Sequence, residues 1–306
     1  GMAKPALALA KDHQALYFIA DYHALTTIRD PKVMRQLSYE AAATWLAFGL
    51  DPDKSIFYRQ SDVPEIFEFT WILSCFTAKG LLNRAHAYKA AVDQNVALNR
   101  DPDQSVNCGL FNYPVLMAAD ILMFKSNVVP VGEDQVQHIE IARDIADAFN
   151  RQYGEILTLP EALAQPAVPG IDGRKMSKSY DNTIPLFASQ SQVKKRVMRI
   201  VTDSKKPEDP KNPLECNIFA LYQHFASPEQ LEETKKKYLE GGLAYGEMKK
   251  ELLAMIEAEV APKREKYEEL ISDTDRLDAI LMEGAEKARK RARALLEKVR
   301  LAIVGR

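Results

Sequence analysis

Residues 113–149 read YPVLMAADILMFKSNVVPVGEDQVQHIEIARDIADAF, and their three-part pattern decides the fold class. Tyr113 to Lys125 is apolar with a single carboxylate, Asp120. Val128 to Val131 (VVPV) has the length and composition of a short strand, and Val136 to Phe149 sets Ile141, Ile145 and Phe149 at helical spacing. Working back toward the start, Leu16 to Ala20 (LYFIA) is an aromatic and β-branched run ending in the polar turn Asp21-Tyr22-His23, which predicts a buried strand. A helical pattern from Pro31 to Leu50 stops at GLDPD, and Ser55 to Gln60 (SIFYRQ) reads as a second strand. Pro64 to Thr77 is helical, whereas the polar segment Asn83 to Asn107, with its DPDQS turn, reads as an insertion or surface loop without a strand. Strands alternating with helices predict an α/β fold whose parallel sheet is covered on both faces.

Beyond about Leu186 the pattern contains helices only: residues 189–204, residues 217–226, and long charged helices from Glu229 to Ser272 and from Ala285 to Val304. The Pro-rich stretch Lys205 to Pro213 is a loop among them. The expected organisation is a Rossmann-like domain over residues 1–186, with an insertion around 60–110, followed by a helical domain over 187–306. A length of 306 residues suits two domains at roughly 150 each.

With 46% hydrophobic and 27% charged residues the chain has an ordinary globular composition, which excludes a disordered or low-complexity protein. The net charge of -2 gives no global attraction to nucleic acid or anionic membrane, while leaving room for a local basic surface. Cys75, Cys108 and Cys216 are odd in number and far apart, without a metal-ligand spacing, so no disulfide framework or metal site is expected. No run reaches the ~18 apolar residues of a membrane span, and the first residues, GMAKPALALAKDH, carry charges where a signal peptide is apolar. A cytoplasmic location without membrane association is the expectation.

Three places could carry chemistry. Gly132-Glu133-Asp134-Gln135 is a glycine turn leading from a strand into free N–H groups at a helix start; such a turn either binds anions and ribose hydroxyls or simply caps the helix. Tyr113, Met117 and Asp120 fall at i, i+4 and i+7 on one helix face, offering a hydroxyl, a thioether and a carboxylate. An ionised Asp in that apolar run is either exposed or awaits a ligand donor, such as the N–H of an aromatic ring. Lys175-Met176-Ser177-Lys178-Ser179 follows the turn-forming Pro169 to Gly173, so two lysines and two hydroxyls sit on one loop. Such a loop either is merely solvated or closes over polyphosphate.

KMSKS over Lys175 to Ser179 is the second signature of class I aminoacyl-tRNA synthetases. Tyr113-Pro114 with Met117 to Leu122, the Val129 to Gln135 turn, Phe18 to Leu25 (FIADYHAL) and Val201 to Ser204 together resemble the tryptophanyl-tRNA synthetase family from Gly1 to about the C-terminus. The tyrosyl sister family usually has Gln near Met117 and a Gly-Ser-Asp-Gln turn in place of Gly132 to Gln135. The resemblance implies that Asp120 accepts the indole N–H, Met117 packs the ring, Tyr113 and Gln135 hold the ammonium and carboxylate, and His23 lines the same pocket. It implies ATP contacts from Gly132, Glu133, Asp134, Val168, Lys175, Met176, Ser177, Lys178 and Ser179, with Lys175 and Lys178 as the catalytic residues. The family's first signature, His-Ile-Gly-His or a variant, does not occur in these residues. The resemblance places it immediately before Gly1, in a strand and turn of roughly 12 to 20 residues.

The implied activity is tryptophan–tRNA ligation: ATP activates tryptophan, with Mg²⁺ on the phosphates, and the aminoacyl group then passes to tRNA(Trp) on a homodimer whose helical domain reads the anticodon. Two alternatives are a tyrosine-charging relative and a non-catalytic RNA-binding paralogue. Lys194-Lys195-Arg196 with Arg199, and Lys287, Arg289, Lys290, Arg291 and Arg293, are either RNA contacts or solvated helix faces. His13, His86, His138 and His224 have no matching partners in the sequence and read as core or surface residues; Trp45 and Trp71 read as core or interface aromatics.

Overall fold

A computed structural model describes residues 3–305, the side chain of Ser179 excepted; Gly1 and Met2, where the family resemblance begins, lie outside the described residues. In chain order α1 (Ala3–Leu9) precedes β1 (Leu16–Ile19), α2 (Asp21–Ala24), α3 (Pro31–Ala47) and β2 (Ile56–Arg59). Four helices follow, α4 (Glu65–Ser74), α5 (Lys79–Leu82), α6 (His86–Ala97) and α7 (Cys108–Leu122), then β3 (Val128–Gly132), α8 (Val136–Tyr153) and β4 (Glu161–Gln165). The rest is helical: α9 (Gln190–Met198), α10 (Asn217–Tyr222), α11 (Pro228–Glu240), α12 (Tyr245–Ser272) and α13 (Thr274–Val304).

β1 and β2 pair in parallel with Leu16 opposite Ile56 and Ile19 opposite Arg59, so their carboxyl ends lie side by side. β3 and β4 form a second parallel pair, Val128 opposite Glu161. Parallel strands joined through helices make the fold α/β and Rossmann-like. A cavity of about 410 Å³ is lined by Leu16, Tyr17 and Phe18 of β1 and by Val128, Val129 and Pro130 of β3.

Local chemistry explains where these elements begin. The Asp30 carboxylate accepts the N–H of Lys32 at 2.8 Å and Pro31 takes the first helical position, which starts α3. Asn107 starts α7 by accepting the N–H of Leu110 at 2.9 Å. The segment expected to be a loop contains α6, stabilised where buried Asn95 donates to the carbonyls of Pro102 and Gln104, each at 2.9 Å. β4 was not expected either, because EALAQ is mostly exposed and lacks a β-branched run. The helix expected from Glu229 to Ser272 is divided at Gly241 and Gly242, whose φ of 83° and 87° suit glycine and end α11.

The chain forms two compact units, one running to Gln165 and including everything from Leu270 onward, the other Pro166–Glu269. The sequence pattern instead suggested one boundary near residue 186 and a last helix grouped with the others. The reason is the buried stripe Leu277, Leu281, Ala285, Ala288, Ala292, Leu295, Leu296 and Val299 on α13. Its residues from Ala285 onward share one core with Ile56, Tyr58, Ile66, Phe69 and Leu73. Gly284 permits the approach, since a Cβ there would stand 1.8 Å from the carbonyl oxygen of Phe57. Each buried Leu of that stripe contributes on the order of 1.5–3 kcal/mol. The second unit has its own core of Val193, Val197, Ile218, Phe219, Tyr222, Tyr238, Leu252 and Ile256. Among the described residues no helix is long and apolar enough to cross a membrane. Cys75, Cys108 and Cys216 are free thiols.

Candidate active site

His23, Gln60 and Asp120 lie far apart in sequence and meet at the carboxyl ends of β1 and β2. β1 delivers the chain into α2, which carries His23, and β2 delivers it into a 3₁₀ turn, Gln60–Asp62. Buried Asp21 ties the two together by accepting the backbone N–H of Ser61 at 3.1 Å and its hydroxyl. α7 supplies Asp120 from a face otherwise made of Val115, Ala118, Ala119, Ile121 and Leu122.

Asp120 is only 4% exposed, so the exposed alternative is excluded. Its Oδ2 lies 2.8 Å from His23 Nε2, and the Gln60 amide donates to Oδ1 at 2.8 Å and to Oδ2 at 2.9 Å. Burial pushes the Asp120 carboxyl above the usual carboxylate range, against the His23 and Gln60 hydrogen bonds that favour the ionised form; the neighbouring Asp21 charge adds to the upward push. Tyr113, two turns back on the same face of α7, has its hydroxyl 2.6 Å from His138 Nε2 and its ring edge-on to His23, with centroids 6.2 Å apart. His138, expected to be a core or surface residue without a partner, is buried and paired with Tyr113. Burial lowers its imidazole below the ordinary 6.5 and raises the Tyr113 hydroxyl. Met117 is half-buried against the core. Tyr22, His23, Thr26, Phe67, Asn107 and Tyr113 are among the residues lining a mostly apolar cavity of about 340 Å³ beside this cluster.

The turn after β3 is more open. Glu133 and Asp134 are exposed, Gly132 and Gln135 half-buried, and the Gln135 amide donates to Asp134 Oδ2 at 2.9 Å. That turn leads directly into α8, as the sequence pattern requires.

In the second unit the lysine loop is organised by Asn182, which is 1% exposed. Its side chain accepts the N–H of Ser177 at 2.7 Å and donates to Asp172 Oδ1 at 2.8 Å and to the Lys175 carbonyl at 3.0 Å. The Met176 N–H donates to the Val168 carbonyl at 2.9 Å. Met176 and Val168 rest against the core of that unit, while Lys175 and Lys178 are exposed. The Ser179 side chain lies outside the described residues.

The basic stretches differ in how much of their charge is engaged. Arg289 and Arg293 both donate to Glu65, at 3.1 and 2.7 Å, and Lys287 pairs with Glu283 at 2.7 Å. Arg196 pairs with Asp181. Trp45 packs against Tyr17 with ring centroids 5.0 Å apart and planes tilted by 32°, whereas Trp71 is 72% exposed rather than core.

The family description for class I tRNA synthetases (W and Y) matches residues 2–261. The chain belongs to this family. It is 52% identical to the tryptophan–tRNA ligase of Pseudomonas putida over 311 residues, covering 99% of this chain and 69% of that protein. It is 50% identical to the tryptophan–tRNA ligase of Neisseria meningitidis over 309 residues, covering 99% and 92%. A crystal structure of tryptophanyl-tRNA synthetase from Campylobacter jejuni, complexed with ADP and tryptophan, superposes with a TM-score of 0.85 at 47% identity, over 98% of this chain and 92% of that one.

Gln60, Asn182 and the Tyr113–His138 pair escaped the sequence reading. Gln60 looked like the polar end of a strand, and Asn182 like one polar residue in a loop. Only the i, i+25 pairing of two helices could have joined Tyr113 to His138, and no single-helix spacing shows it.

Proposed function

We infer that the protein is a tryptophan–tRNA ligase, an ATP-dependent enzyme of the class I aminoacyl-tRNA synthetases. The observation that carries this reading is the 52% identity to such a ligase along 99% of the chain. The buried carboxylate of Asp120 supplies the matching chemistry. A side chain that brings one ring N–H can take the place of the His23 donor there, and one that brings none displaces His23 without restoring a donor to the buried carboxylate, which rejects it without editing.

In the first reaction the tryptophan carboxylate oxygen attacks the α-phosphorus of ATP, the bond to the β-phosphate oxygen breaks, and pyrophosphate leaves. No protein nucleophile takes part, so catalysis rests on alignment and charge stabilisation. Asp120 and Met117 receive the indole, Tyr113 and Gln135 hold the amino acid's ammonium and carboxylate, and His23 closes one side. Gly132, Glu133, Asp134 and Val168 meet the nucleotide. Lys175 and Lys178, with Met176, Ser177 and Ser179 on the same loop, neutralise the phosphates. In the second reaction a terminal ribose hydroxyl of tRNA(Trp) takes the aminoacyl group and AMP leaves.

Among the described residues no group of three His, Cys, Asp or Glu side chains could cage a metal ion. Mg²⁺ therefore enters this proposal as a companion of the ATP phosphates, where it is commonly held. An anticodon-reading part among the helices after residue 186, a homodimer and a cytoplasmic location complete the reading. The Glu65 pairing of Arg289 and Arg293 favours Lys194, Lys195 and Arg199 as the RNA-facing cations.

The test is tryptophan-dependent ATP–pyrophosphate exchange, with tyrosine as the control and intact mass recorded on the same sample. Exchange with tryptophan alone supports the ligase. Preference for tyrosine, or no exchange by a folded protein, overturns it in favour of the tyrosine-charging or the RNA-binding alternative.

A further inference from the structure

The Gln60 side chain is fully buried, and its amide N–H₂ edge faces both oxygens of Asp120. Its Oε1 is buried and has no hydrogen-bond partner. A primary amide can turn over, and in the opposite orientation Oε1 would point at two acceptor oxygens and be repelled. The side chain thus leaves its own carbonyl oxygen unpaired in order to keep its donor edge on the carboxylate. A protonated carboxyl would present one O–H to the amide in place of a second acceptor. Donation to both oxygens favours the ionised form, and so works against the burial that pushes the carboxyl up.

We propose that Gln60 is the positioning residue for Asp120: its two-oxygen donation fixes the orientation and ionisation of the acceptor that reads a ring N–H, and so sets the discrimination between side chains with and without that group. The proposal rests on the ligase reading and extends it to a residue outside the family motifs. The groups facing Asp120 assign the work. From α2 come Asp21, whose charge opposes ionisation, and His23. From β2 comes Tyr58, which is buried and whose hydroxyl is pushed up by burial and by the Asp120 charge. From the 3₁₀ turn comes Gln60. His23 is the one donor with exposed side-chain surface, 19%, and stands beside the cavity, so it can give way to a ligand N–H. Gln60 has no solvent to move into and stays on the carboxylate throughout.

The test is ATP–pyrophosphate exchange by the whole protein with L-tryptophan and with its benzothiophene isostere, in which sulfur replaces the N–H. Wild type and Gln60→Met are compared from about pH 6 to 8.5. Gln60→Met keeps the length and removes the donor. It should raise KM for tryptophan about 10- to 100-fold while moving KM for the isostere by less than about threefold, with KM for ATP unchanged. Without the amide, burial is opposed less and Asp120 binds a proton at higher pH. KM for tryptophan should therefore climb more steeply as pH falls in the variant than in the wild type. Equal changes for both substrates, or a tryptophan KM within twofold of wild type, overturn the proposal. Gln60→Glu, which sets a second carboxyl against Asp120, is read if Gln60→Met does not fold; a wild-type tryptophan KM in it overturns the proposal too. Failure of the unaltered protein to distinguish tryptophan from the isostere sinks the Asp120 reading itself, and is recognisable because no variant is involved.

Discussion

Two regions of this molecule are each organised around one buried polar side chain, and they solve opposite problems. Asp120 collects donors from His23 and Gln60, 97 and 60 residues away, into a closed acceptor. Asn182 makes its bonds to Asp172, Lys175 and Ser177, none more than ten residues off, and leaves Lys175 and Lys178 at the surface. The first is a rigid long-range assembly suited to discriminating one functional group. The second is a local brace suited to presenting positive charge to a ligand that arrives with its own anionic oxygens. On the proposed function, discrimination belongs to the first and charge stabilisation to the second, and variants should separate them.

The largest effect is expected at Asp120. Asp120→Ala removes the acceptor and leaves His23 and Gln60 facing an apolar gap. kcat/KM for tryptophan should fall about a hundred- to a thousandfold while KM for ATP is held. Exchange kinetics with each substrate varied in turn measure both, and unchanged tryptophan kinetics would take Asp120 out of the site.

Next come the lysines. Lys178→Ala should lower kcat about a hundredfold, the scale of a lost transition-state donor, with KM for tryptophan nearly unchanged. Because the side chain is exposed, thermal stability should stay within about 0.5 kcal/mol. A variant losing tryptophan affinity instead of kcat would break the division of labour between the two regions.

Asn182→Ala tests the brace itself. It removes the Asn182 bonds to the Ser177 N–H and the Lys175 carbonyl, a local cost of about 1–3 kcal/mol. kcat should drop about tenfold, and limited proteolysis should open residues 170–182 first, with the Asp120 region protected as in wild type.

The same contrast explains what could be read from the sequence. The lysine loop is local, so its residues stand together as a string, and Lys175 to Ser179 carry the family resemblance by themselves. The strands β1, β2 and β3 are legible because their apolar runs end in polar turns. Asp120 stood out as one carboxylate in an apolar helix, yet the pattern could not say whether it faced water or a donor. That depends on the parallel register that brings Ile19 beside Arg59, and with it His23 beside Gln60. Helix α6 and strand β4 were illegible for a related reason. Their residues are largely exposed, and what holds them is a side chain such as Asn95 or a neighbouring strand such as β3, not their own periodicity.

The smallest effect expected is also the one that separates the two regions by pH. Burial lowers the His138 imidazole below its ordinary 6.5, so near neutrality it sits uncharged in both folded and unfolded chains and costs nothing. As pH falls below 6.5 the unfolded chain takes up the proton first, and folded stability declines, by at most about 1.4 kcal/mol per pH unit for a single group. In the loop the direction is the same but the window is different. Asp172 is held below its ordinary 3.8 by the Asn182 amide, with Arg174 helping, so its contribution persists down to 3.8 and is lost only as pH falls further. Thermal denaturation from about pH 8 to 5 should therefore show wild type losing stability in the acid half of the range and His138→Gln losing less. Parallel curves for the two proteins would show that the Tyr113–His138 pair does not set this slope. An equal flattening by Asp172→Asn in that range would erase the distinction between a buried imidazole whose contribution begins to fall below pH 6.5 and a loop carboxylate whose contribution holds down to 3.8.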